Sequence, residues 1–360
     1  MKKLFALLLT ISLFSCNSGD KETTTTDIKE VKEHPKNVIL LIGDGMGLSE
    51  VSASLFFKDA PSNFEQFPVV GLIKTSSSDK LITDSAAGAT SFASGVKTYN
   101  GAIGVDADST VVKTIVEHVS EKGMATGVIA TSSITHATPA AFYAHSTSRR
   151  KEEEIASYLP NSGVDFFAGG GLEFFNKRKD SLDLLSELTA KGFVVDTVGL
   201  SKKDAQKQGF LLAQRGMPTM ETRGDFLPKS TQLALDQLSK NENGFFLIIE
   251  GSQIDWGGHD RDGEYLIAEL LDFDATIGVA LDFAKTNGET LVIVTADHET
   301  GGFTLSSKEH NYNEIEATFS TDGHSATMVP VFADGPGSEN FGGIYENTGI
   351  YHKIMDLLNK

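Results

Sequence analysis

NVILLIGDGMG, residues 37–47, is an apolar run that ends in a short loop of glycine, aspartate and methionine. A continuous apolar run of this length is typical of a strand that is buried on both faces of a parallel sheet. Similar runs follow at residues 124–131, 164–170, 244–250, 290–296 and 327–333. Stretches with helical spacing of apolar residues lie between them, at 111–123, 181–192 and 230–240. The alternation predicts an α/β fold whose central, mostly parallel sheet is sandwiched between helices.

Acidic and histidine side chains occur where the predicted strands end. Asp44 follows the first run, Glu250 ends the fourth, and Asp297 and His298 follow the fifth. Ligands of open α/β sheets bind beyond the carboxyl ends of the strands, so we expect these side chains to meet at one site.

Two further histidines and one more aspartate belong to the same pattern. Asp255 and His259 lie four residues apart, so a helical segment would direct both toward one point. His324 lies in the loop TDGHSAT, before the last apolar run. Each of these residues alone has an ordinary explanation as a polar loop residue. Carboxylate and imidazole together suit zinc, however, and the whole set predicts a site for more than one metal ion.

LITDSAAGATSFASG, residues 81–95, predicts a helix of small residues, with Thr83, Asp84 or Ser85 as its N-cap. One interpretation is structural, because small residues let a helix lie close to a sheet. The other is catalytic, because free N–H groups at a helix N-terminus attract anions, and a serine placed there could attack a phosphate. This stretch by itself leaves both interpretations open.

The formal net charge of −18 argues against a nucleic acid as a partner. A surface of this sign would also repel an anionic substrate unless positive charge is concentrated locally. Bound metal ions would supply that charge.

The first residues have the layout of an export signal. Lys2 and Lys3 precede an apolar run that is too short to span a bilayer, and the run ends in LFSC, which resembles a bacterial lipobox. We therefore predict a signal peptide over residues 1–16, a flexible tether over 17–35 and a single folded domain over 36–360. Cys16 would carry lipid, giving a periplasmic or outer-membrane-anchored lipoprotein of a Gram-negative-type bacterium. The alternative is an ordinary signal peptide that is cleaved nearby.

Six motifs together resemble those of bacterial alkaline phosphatases, in the same order along the chain. They are DSAAGAT, GVKTYNGAIGV, HATPAAFYAHSTSR, EGSQIDWGGH, TADHETGG and DGHSA. The resemblance implies that the chain hydrolyses phosphate monoesters with Ser85 as the phosphorylated nucleophile and Arg149 as the phosphate clamp. It also implies two Zn²⁺ ions and one Mg²⁺ ion. The sequence leaves open whether the protein forms a homodimer.

The same resemblance distributes the ligands among three metal sites. Asp255, His259 and His324 match the ligands of one zinc. Asp44, Asp297 and His298 match those of the other. Asp44, Thr138 and Glu250 match ligands of the third site.

Two residues near the chemistry depart from the enteric members of that family. His136 stands where they have an aspartate near the third metal, and Trp256 stands where they have a lysine near the phosphate. We expect His136 to contribute both to the third metal site and, with Trp256, to the substrate pocket. Because imidazole suits softer ions, the third metal could be Zn²⁺ or Co²⁺ instead of Mg²⁺. The short segment 299–323 also predicts a reduced crown over the site.

Two other functions stay open from the sequence. A phosphodiesterase or nucleotide pyrophosphatase could use the same two-metal core, although Arg149 favours monoesters because it would bind non-bridging oxygens. A non-catalytic lipoprotein that binds metal or phosphate would need neither Ser85 nor Arg149. A sulfatase is disfavoured, because the Cys/Ser-x-Pro-x-Arg signature is absent from the sequence.

Overall fold

The run quoted above forms the strand β1 (Asn37–Gly43), and all of its residues are buried. The computed structural model describes residues 34–359, which all belong to one compact unit. The predicted signal peptide, Cys16 and most of the predicted tether lie outside the described residues.

The strands that follow along the described chain are β2 Val69–Lys74, β3 Ala125–Ser133, β4 Phe166–Gly170, β5 Phe193–Asp196, β6 Lys207–Leu211, β7 Phe245–Gly251, β8 Thr290–Thr295, β9 Glu299–Thr300, β10 Phe303–Lys308, β11 Asn311–Phe319, β12 His324–Ser325, β13 Val329–Asp334 and β14 Gly343–Glu346. The helices are α1 Leu48–Phe56, α2 Ser85–Ser94, α3 Ile115–Glu121, α4 Ala137–Ala140, α5 Glu152–Ala156, α6 Glu173–Asn176, α7 Leu184–Ala190, α8 Met220–Arg223, α9 Phe226–Leu238, α10 Gln253–Asp260, α11 Gly263–Asn287 and α12 Gly349–Leu358.

A 10-stranded sheet forms the centre, in the order β14-β2-β13-β8-β1-β7-β3-β4-β6-β5. β13 is antiparallel to both of its neighbours, and the other neighbouring pairs are parallel. With its flanking helices, this sheet confirms the predicted fold class. All residues of β3, β7 and β8 are buried, as expected for strands covered on both faces.

The predicted strands are all present, with bounds that differ by at most two residues. The helix predicted at 230–240 begins earlier, at Phe226, and includes Pro228 in its first turn. Proline is tolerated there because the first N–H groups of a helix have no partner within the helix. The shorter strands β2, β5, β6 and β14 are not among the predicted runs, since their residues are less continuously apolar.

The small residues of α2 allow it to be buried along its whole length. Asp84 is its N-cap and accepts a hydrogen bond from the Ala87 N–H at 3.0 Å, which selects one of the three predicted caps. Gly95 closes the helix in the left-handed conformation, at φ 74°.

α10 and α11 pack closely at a glycine. A Cβ atom at Gly257 would lie 2.7 Å from the Leu266 backbone, so a larger residue would separate the two helices. This contact holds α10 against α11, beside the end of β7. Asp255, on the first turn of α10, thereby stays close to the polar residues at the ends of the strands.

The segment predicted to be a reduced crown forms small antiparallel sheets. β10 pairs with β11, and β12 pairs with β9, which brings His324 opposite Thr300. Within residues 34–359, we find no helix with the length and apolar content needed to cross a membrane.

Candidate active site

Four adjacent strands, β8, β1, β7 and β3, direct their carboxyl ends to the same edge of the sheet. Asp44 directly follows β1, Glu250 is the penultimate residue of β7, and Asp297 lies just beyond β8. Asp255 and His259 lie on α10, four residues apart, as the spacing predicts. The side chains form three groups, in each of which the possible ligand atoms lie within 4.8 Å of one another.

The first group, Asp44, Asp297 and His298, is completely buried. His298 Nε2 lies 3.5 Å from an Asp44 oxygen and 3.3 Å from an Asp297 oxygen. His298 Nδ1 lies 3.2 Å from the Thr300 hydroxyl, whose own hydrogen is directed to Asp255 at 2.5 Å. The Thr300 oxygen therefore accepts a hydrogen bond from the Nδ1–H group of His298. The Nε2 lone pair is left facing two carboxylates, an arrangement that requires a cation.

The second group is Asp255, His259 and His324. The two Nε2 atoms are 3.1 Å apart, and each lies within 3.5 Å of the same Asp255 oxygen. Their Nδ1 atoms face backbone carbonyls, of Asp322 at 2.6 Å and of Thr83 at 2.9 Å. A carbonyl oxygen can only accept a hydrogen bond, so both Nδ1 atoms carry a hydrogen and donate. Two imidazole lone pairs and a carboxylate then converge on one point, as in a zinc site.

The third group is Asp44, His136 and Glu250, with Thr138 nearby in sequence on α4. Among the described residues, several buried polar atoms of the first and third groups and of Thr138 have no hydrogen-bond partner: Asp44 Oδ2, Glu250 Oε1, Asp297 Oδ2, His136 Nδ1 and Thr138 Oγ1. Buried polar atoms are normally paired, so these atoms fit a role as metal ligands.

The electrostatics of the site also call for cations. Burial, followed by repulsion from Asp297, Asp255 and Glu250, raises the pKa of Asp44 well above its usual range. Burial likewise raises the pKa of Glu250 to about 7 and raises that of Asp297. Burial and then the neighbouring His324 hold the pKa of His298 well below its ordinary value. The site therefore contains more buried carboxylate than the protein itself neutralises.

Ser85 lies beside the first of these groups. It is the first residue of α2, and its hydroxyl is 3.4 Å from an Asp44 oxygen and 3.3 Å from His298 Nε2. Ser85 thus stands at the positive end of α2, where the Ala87 N–H is already bonded to Asp84. A nucleophile, an anion-binding helix end and a group of metal ligands thus meet at one atom.

Arg149 is held by two partners at the edge of the pocket. Its guanidinium donates to Asp84 at 3.2 Å and to His136 Nε2 at 3.1 Å. Burial, assisted by the Arg149 charge, lowers the pKa of His136 to about 3, so the ring is neutral and can accept this hydrogen bond. Asp84 therefore has a second role besides capping α2, which the sequence did not indicate.

Trp256 lies on α10 with its ring edge-on to His136, at a centroid distance of 6.1 Å. A Cβ atom at Gly216 would lie 2.6 Å from the Trp256 ring. The segment around Gly216 therefore packs against the ring and restricts its position. Trp256, His136 and Arg149 thus form a chain of neighbouring side chains next to the third ligand group.

Thr300 is the residue of the site that sequence reasoning missed most clearly. It belongs to the quoted motif TADHETGG, but its link between two ligand groups depends on the pairing of β9 with β12. The only available sequence signal was its position two residues after His298.

Comparisons with known proteins show the family of the chain. A family model described as alkaline phosphatase matches residues 35–318. Alkaline phosphatase 3 of Bacillus subtilis is 35% identical, over 99% of this chain and 97% of that protein. The structure of alkaline phosphatase from the Antarctic bacterium TAB5 is similar, with a TM-score of 0.90 and 57% identity, covering 91% of this chain and 98% of that one. A His-to-Asp mutant of the TAB5 enzyme, solved with Mg bound in its M3 site, has a TM-score of 0.89 and 56% identity, covering 91% of this chain and 99% of that one.

Proposed function

The chain belongs to the alkaline phosphatase family and is a phosphoric monoester hydrolase, and from that premise we propose that it works through a phosphoserine at Ser85. One observation carries this proposal. The Ser85 hydroxyl lies within 3.4 Å of both Asp44 and His298, at the N-terminus of a buried helix.

The reaction would proceed in two displacements. Ser85 Oγ attacks phosphorus, the bond to the ester oxygen breaks, and the alcohol leaves with a proton. Water then attacks the phosphoserine, which releases inorganic phosphate and restores the Ser85 hydroxyl. Throughout, Arg149 binds two non-bridging oxygens with its planar fork, and the first N–H groups of α2 bind the negative charge.

We assign one zinc to Asp255, His259 and His324, and the other to Asp44, Asp297 and His298. Both sets combine carboxylate with imidazole, and their lone pairs already converge. Bound divalent cations would lower the pKa of the Ser85 hydroxyl and neutralise charge on the leaving oxygen. The family is metal-dependent, and the buried atoms without partners support a resident metal in the first and third groups.

The third site, with Asp44, Thr138 and Glu250, would hold magnesium weakly. His136 supplies a neutral nitrogen where magnesium prefers oxygen, and its Nε2 is already engaged by Arg149 at 3.1 Å. Zn²⁺ or Co²⁺ would suit the imidazole better. The magnesium in the His-to-Asp mutant of the TAB5 enzyme supports this reasoning. We expect His136→Asp to retain magnesium through dialysis, as measured by metal analysis. Equal magnesium content in the parent protein would contradict a role for His136 at this site.

Hydrolysis of p-nitrophenyl phosphate against bis-p-nitrophenyl phosphate, with and without EDTA, tests the substrate class and the metals. We expect fast, chelator-sensitive turnover of the monoester. Preference for the diester would favour the phosphodiesterase alternative, which the comparisons do not favour. Turnover that resists EDTA would contradict the metal mechanism.

Ser85→Ala tests the nucleophile. Radiolabelled substrate quenched in acid should label the parent protein but not this variant. Ser91→Ala is the matched control, because Ser91 is a buried serine of the same helix whose hydroxyl bonds the Ala87 carbonyl. Label on Ser85→Ala would show that another residue is phosphorylated.

For localisation, we propose export and lipid attachment at Cys16, supported by residues 1–16 of the sequence. Mass spectrometry of the mature N-terminus should find an acylated Cys16. A terminus beyond this residue, without lipid, would indicate a freely soluble exported enzyme. Light scattering of the purified protein tests whether it forms a homodimer.

A further inference from the structure

His145 is a buried histidine outside the three metal groups, and both of its ring nitrogens face hydrogen-bond acceptors. Nδ1 lies 2.7 Å from the Gly104 carbonyl oxygen, and Nε2 lies 3.2 Å from a Glu117 carboxylate oxygen. The other Glu117 oxygen accepts the Thr114 N–H at 2.8 Å, in the capping box of α3. Only the doubly protonated imidazolium can donate a hydrogen bond to an acceptor at each of its two ring nitrogens.

The surroundings of the ring are consistent with this charge. Burial, the largest influence, disfavours the cation, but the hydrogen bonds to Glu117 and Gly104 outweigh it and raise the pKa of His145. Burial opposes charge on Glu117 too, yet its bonds from His145 and Thr114 lower the pKa of that carboxyl. Tyr158 is the other titratable side chain that packs on the ring, edge-on at 5.7 Å.

The Gly104 carbonyl belongs to residues 101–104, which we call the bridging segment. This segment forms backbone hydrogen bonds with residues 146–149, the stretch that ends in Arg149, the proposed phosphate clamp. Ile103 and Ser146 exchange two backbone hydrogen bonds, of 2.9 Å and 2.8 Å, and the Arg149 N–H donates to the Gly101 carbonyl at 2.7 Å. The backbone position of Arg149 is thus set by the bridging segment.

The same segment is tied to the nucleophile helix. The Gly104 N–H donates to the Thr90 hydroxyl at 3.2 Å, and that hydroxyl donates to the Ala102 carbonyl at 3.2 Å. Thr90 lies in α2, which begins at Ser85. The bridging segment therefore joins Arg149 to the helix of the serine, and His145 joins that segment to α3.

Close approach at this point requires glycine. Gly104 has a φ of 55°, and a Cβ atom there would lie 2.2 Å from the Ala144 carbonyl oxygen and 2.8 Å from His145 Nδ1. Any side chain would push the imidazole away from the carbonyl that it binds.

We propose that His145 is a positioning residue for the phosphate clamp: as an imidazolium between Glu117 and the bridging segment, it holds Arg149 in place relative to Ser85, and loss of its ring proton loosens the clamp. The proposal rests on the proposed role of Arg149 in binding phosphate. It makes the affinity for phosphate depend on pH through a residue that does not itself contact the reacting atoms.

The direction of the pH effect follows from the hydrogen bonds. The imidazolium is favoured in the folded protein, so the bridge is complete below the ordinary pKa of histidine and is lost as pH rises through the raised value. Phosphate should therefore bind more weakly at alkaline pH and leave more readily.

The experiment measures the inhibition constant for inorganic phosphate from pH 6 to pH 10 in metal-loaded enzyme, together with an NMR titration of the His145 ring nitrogens. Glu117→Gln retains the capping geometry but removes the charge, so the rise in the inhibition constant should move about one pH unit or more toward acid. Glu121→Gln is the matched control, because Glu121 is an exposed residue of the same helix that pairs with Lys113.

His145→Gln should raise the inhibition constant for phosphate at pH 7 by roughly threefold to tenfold. This change corresponds to part of the free energy of a hydrogen bond between charged groups. The inhibition constant should also depend less on pH in this variant. The turnover number should change less than the inhibition constant. A His145 ring that is neutral at pH 7, or equal shifts in Glu117→Gln and Glu121→Gln, would overturn the proposal. A loss of turnover in His145→Gln with unchanged phosphate affinity would overturn it as well.

These readouts are independent of the nucleophile. Phosphate binding to Ser85→Ala, measured by calorimetry at the same pH values, should retain the parent pH dependence. If Ser85→Ala is still phosphorylated, the assignment of the nucleophile fails while the His145 result stands. If the binding of phosphate to Ser85→Ala shows no pH step, the role of His145 is wrong.

Discussion

At the scale of single residues, Thr300 connects two of the ligand groups with one hydroxyl. It donates to Asp255 at 2.5 Å and accepts from His298 Nδ1 at 3.2 Å. These bonds orient one ligand in each group and leave the Nε2 atom of His298 unprotonated. Residues that hold metal ligands in this way usually influence affinity strongly.

Thr300→Val removes the hydroxyl and retains the shape of the side chain. We expect zinc affinity to fall by about 10-fold to 100-fold, with both zinc ions affected because the hydroxyl contacts a ligand of each. Competition with a chromogenic chelator measures this loss. Thr300→Ser restores the hydroxyl and should restore most of the affinity, whereas equal losses in the two variants would assign the effect to packing.

Trp256 is a second residue whose role is testable by itself. Its ring packs edge-on against His136, whose Nε2 accepts a hydrogen bond from Arg149. Trp256→Lys adds a positive charge to the pocket, so the inhibition constant for phosphate should decrease. Trp256→Phe is the control for loss of the indole ring. An unchanged constant in Trp256→Lys would place residue 256 outside the field of the phosphate.

At the scale of elements, a buried ion triad fastens α8 to α11. Arg223 donates to Glu269 at 2.7 Å and 2.5 Å and to Asp272 at 2.7 Å, and all three side chains are almost fully buried. The segment that leads to α8 binds β3 through the Met217 N–H and the Thr131 carbonyl, at 3.1 Å, next to the Gly216 contact with Trp256. The triad therefore supports one wall of the pocket.

Arg223→Met leaves two buried carboxylates without a cation, and we expect it to lower the free energy of unfolding by about 3 to 5 kcal/mol at pH 8. Burial raises the pKa of Asp272 to about 6 even with Arg223 present. A carboxyl with a raised pKa takes up its proton more readily in the folded state, so its destabilising charge disappears as pH falls through that value. The loss should accordingly be smaller at pH 5 than at pH 8.

Urea unfolding at the two pH values measures this difference. Arg215→Met is the matched control, since Arg215 is an exposed residue that pairs with Glu173 at the surface, and it should change stability by less than about 1 kcal/mol. An equal loss in Arg223→Met at pH 5 and pH 8 would show that packing, not charge, accounts for the effect.

At the scale of the whole molecule, the candidate metal-ligand groups lie at the edge of four central strands, so metal binding there should affect global stability. Asp44, Glu250 and Asp297 are fully buried, and without cations their charges repel one another. Ligands that bind the folded state stabilise it, by about 4 kcal/mol at a concentration a thousandfold above the dissociation constant. EDTA should therefore lower the melting temperature, and added zinc should restore it.

Calorimetric melting of the chelated and zinc-loaded protein checks this expectation. Glu250→Gln combined with Asp44→Asn serves as the control, because these changes remove buried charge at the shared ligands. The double variant should lose less stability on chelation than the parent. An identical melting temperature with and without EDTA in the parent would contradict a structural contribution from the metals.

Much of the architecture followed from local patterns in the sequence. The apolar run at 37–47 and its successors predicted the central strands, because a strand buried on both faces must be apolar throughout. The positions of Asp44, Glu250 and Asp297 at strand ends predicted that they would meet, because parallel strands share one carboxyl edge. The spacing of Asp255 and His259 predicted a common direction, because one helical turn separates them.

Contacts between distant parts of the chain were decided by the tertiary structure alone. The two bonds of Thr300 depend on the pairing of β9 with β12, the bridge of His145 depends on the path of residues 101–104, and the partners of Arg223 lie on another helix. None of these contacts follows a regular spacing in the sequence, so no local pattern predicted them. The sequence by itself determined the six apolar runs that form strands and the polar residues at their ends, and it narrowed the cap of α2 to three residues, because these features depend on near neighbours. Which ring nitrogen is protonated, and which hydroxyl joins two ligand groups, was decided only when packing brought the acceptors within hydrogen-bonding distance.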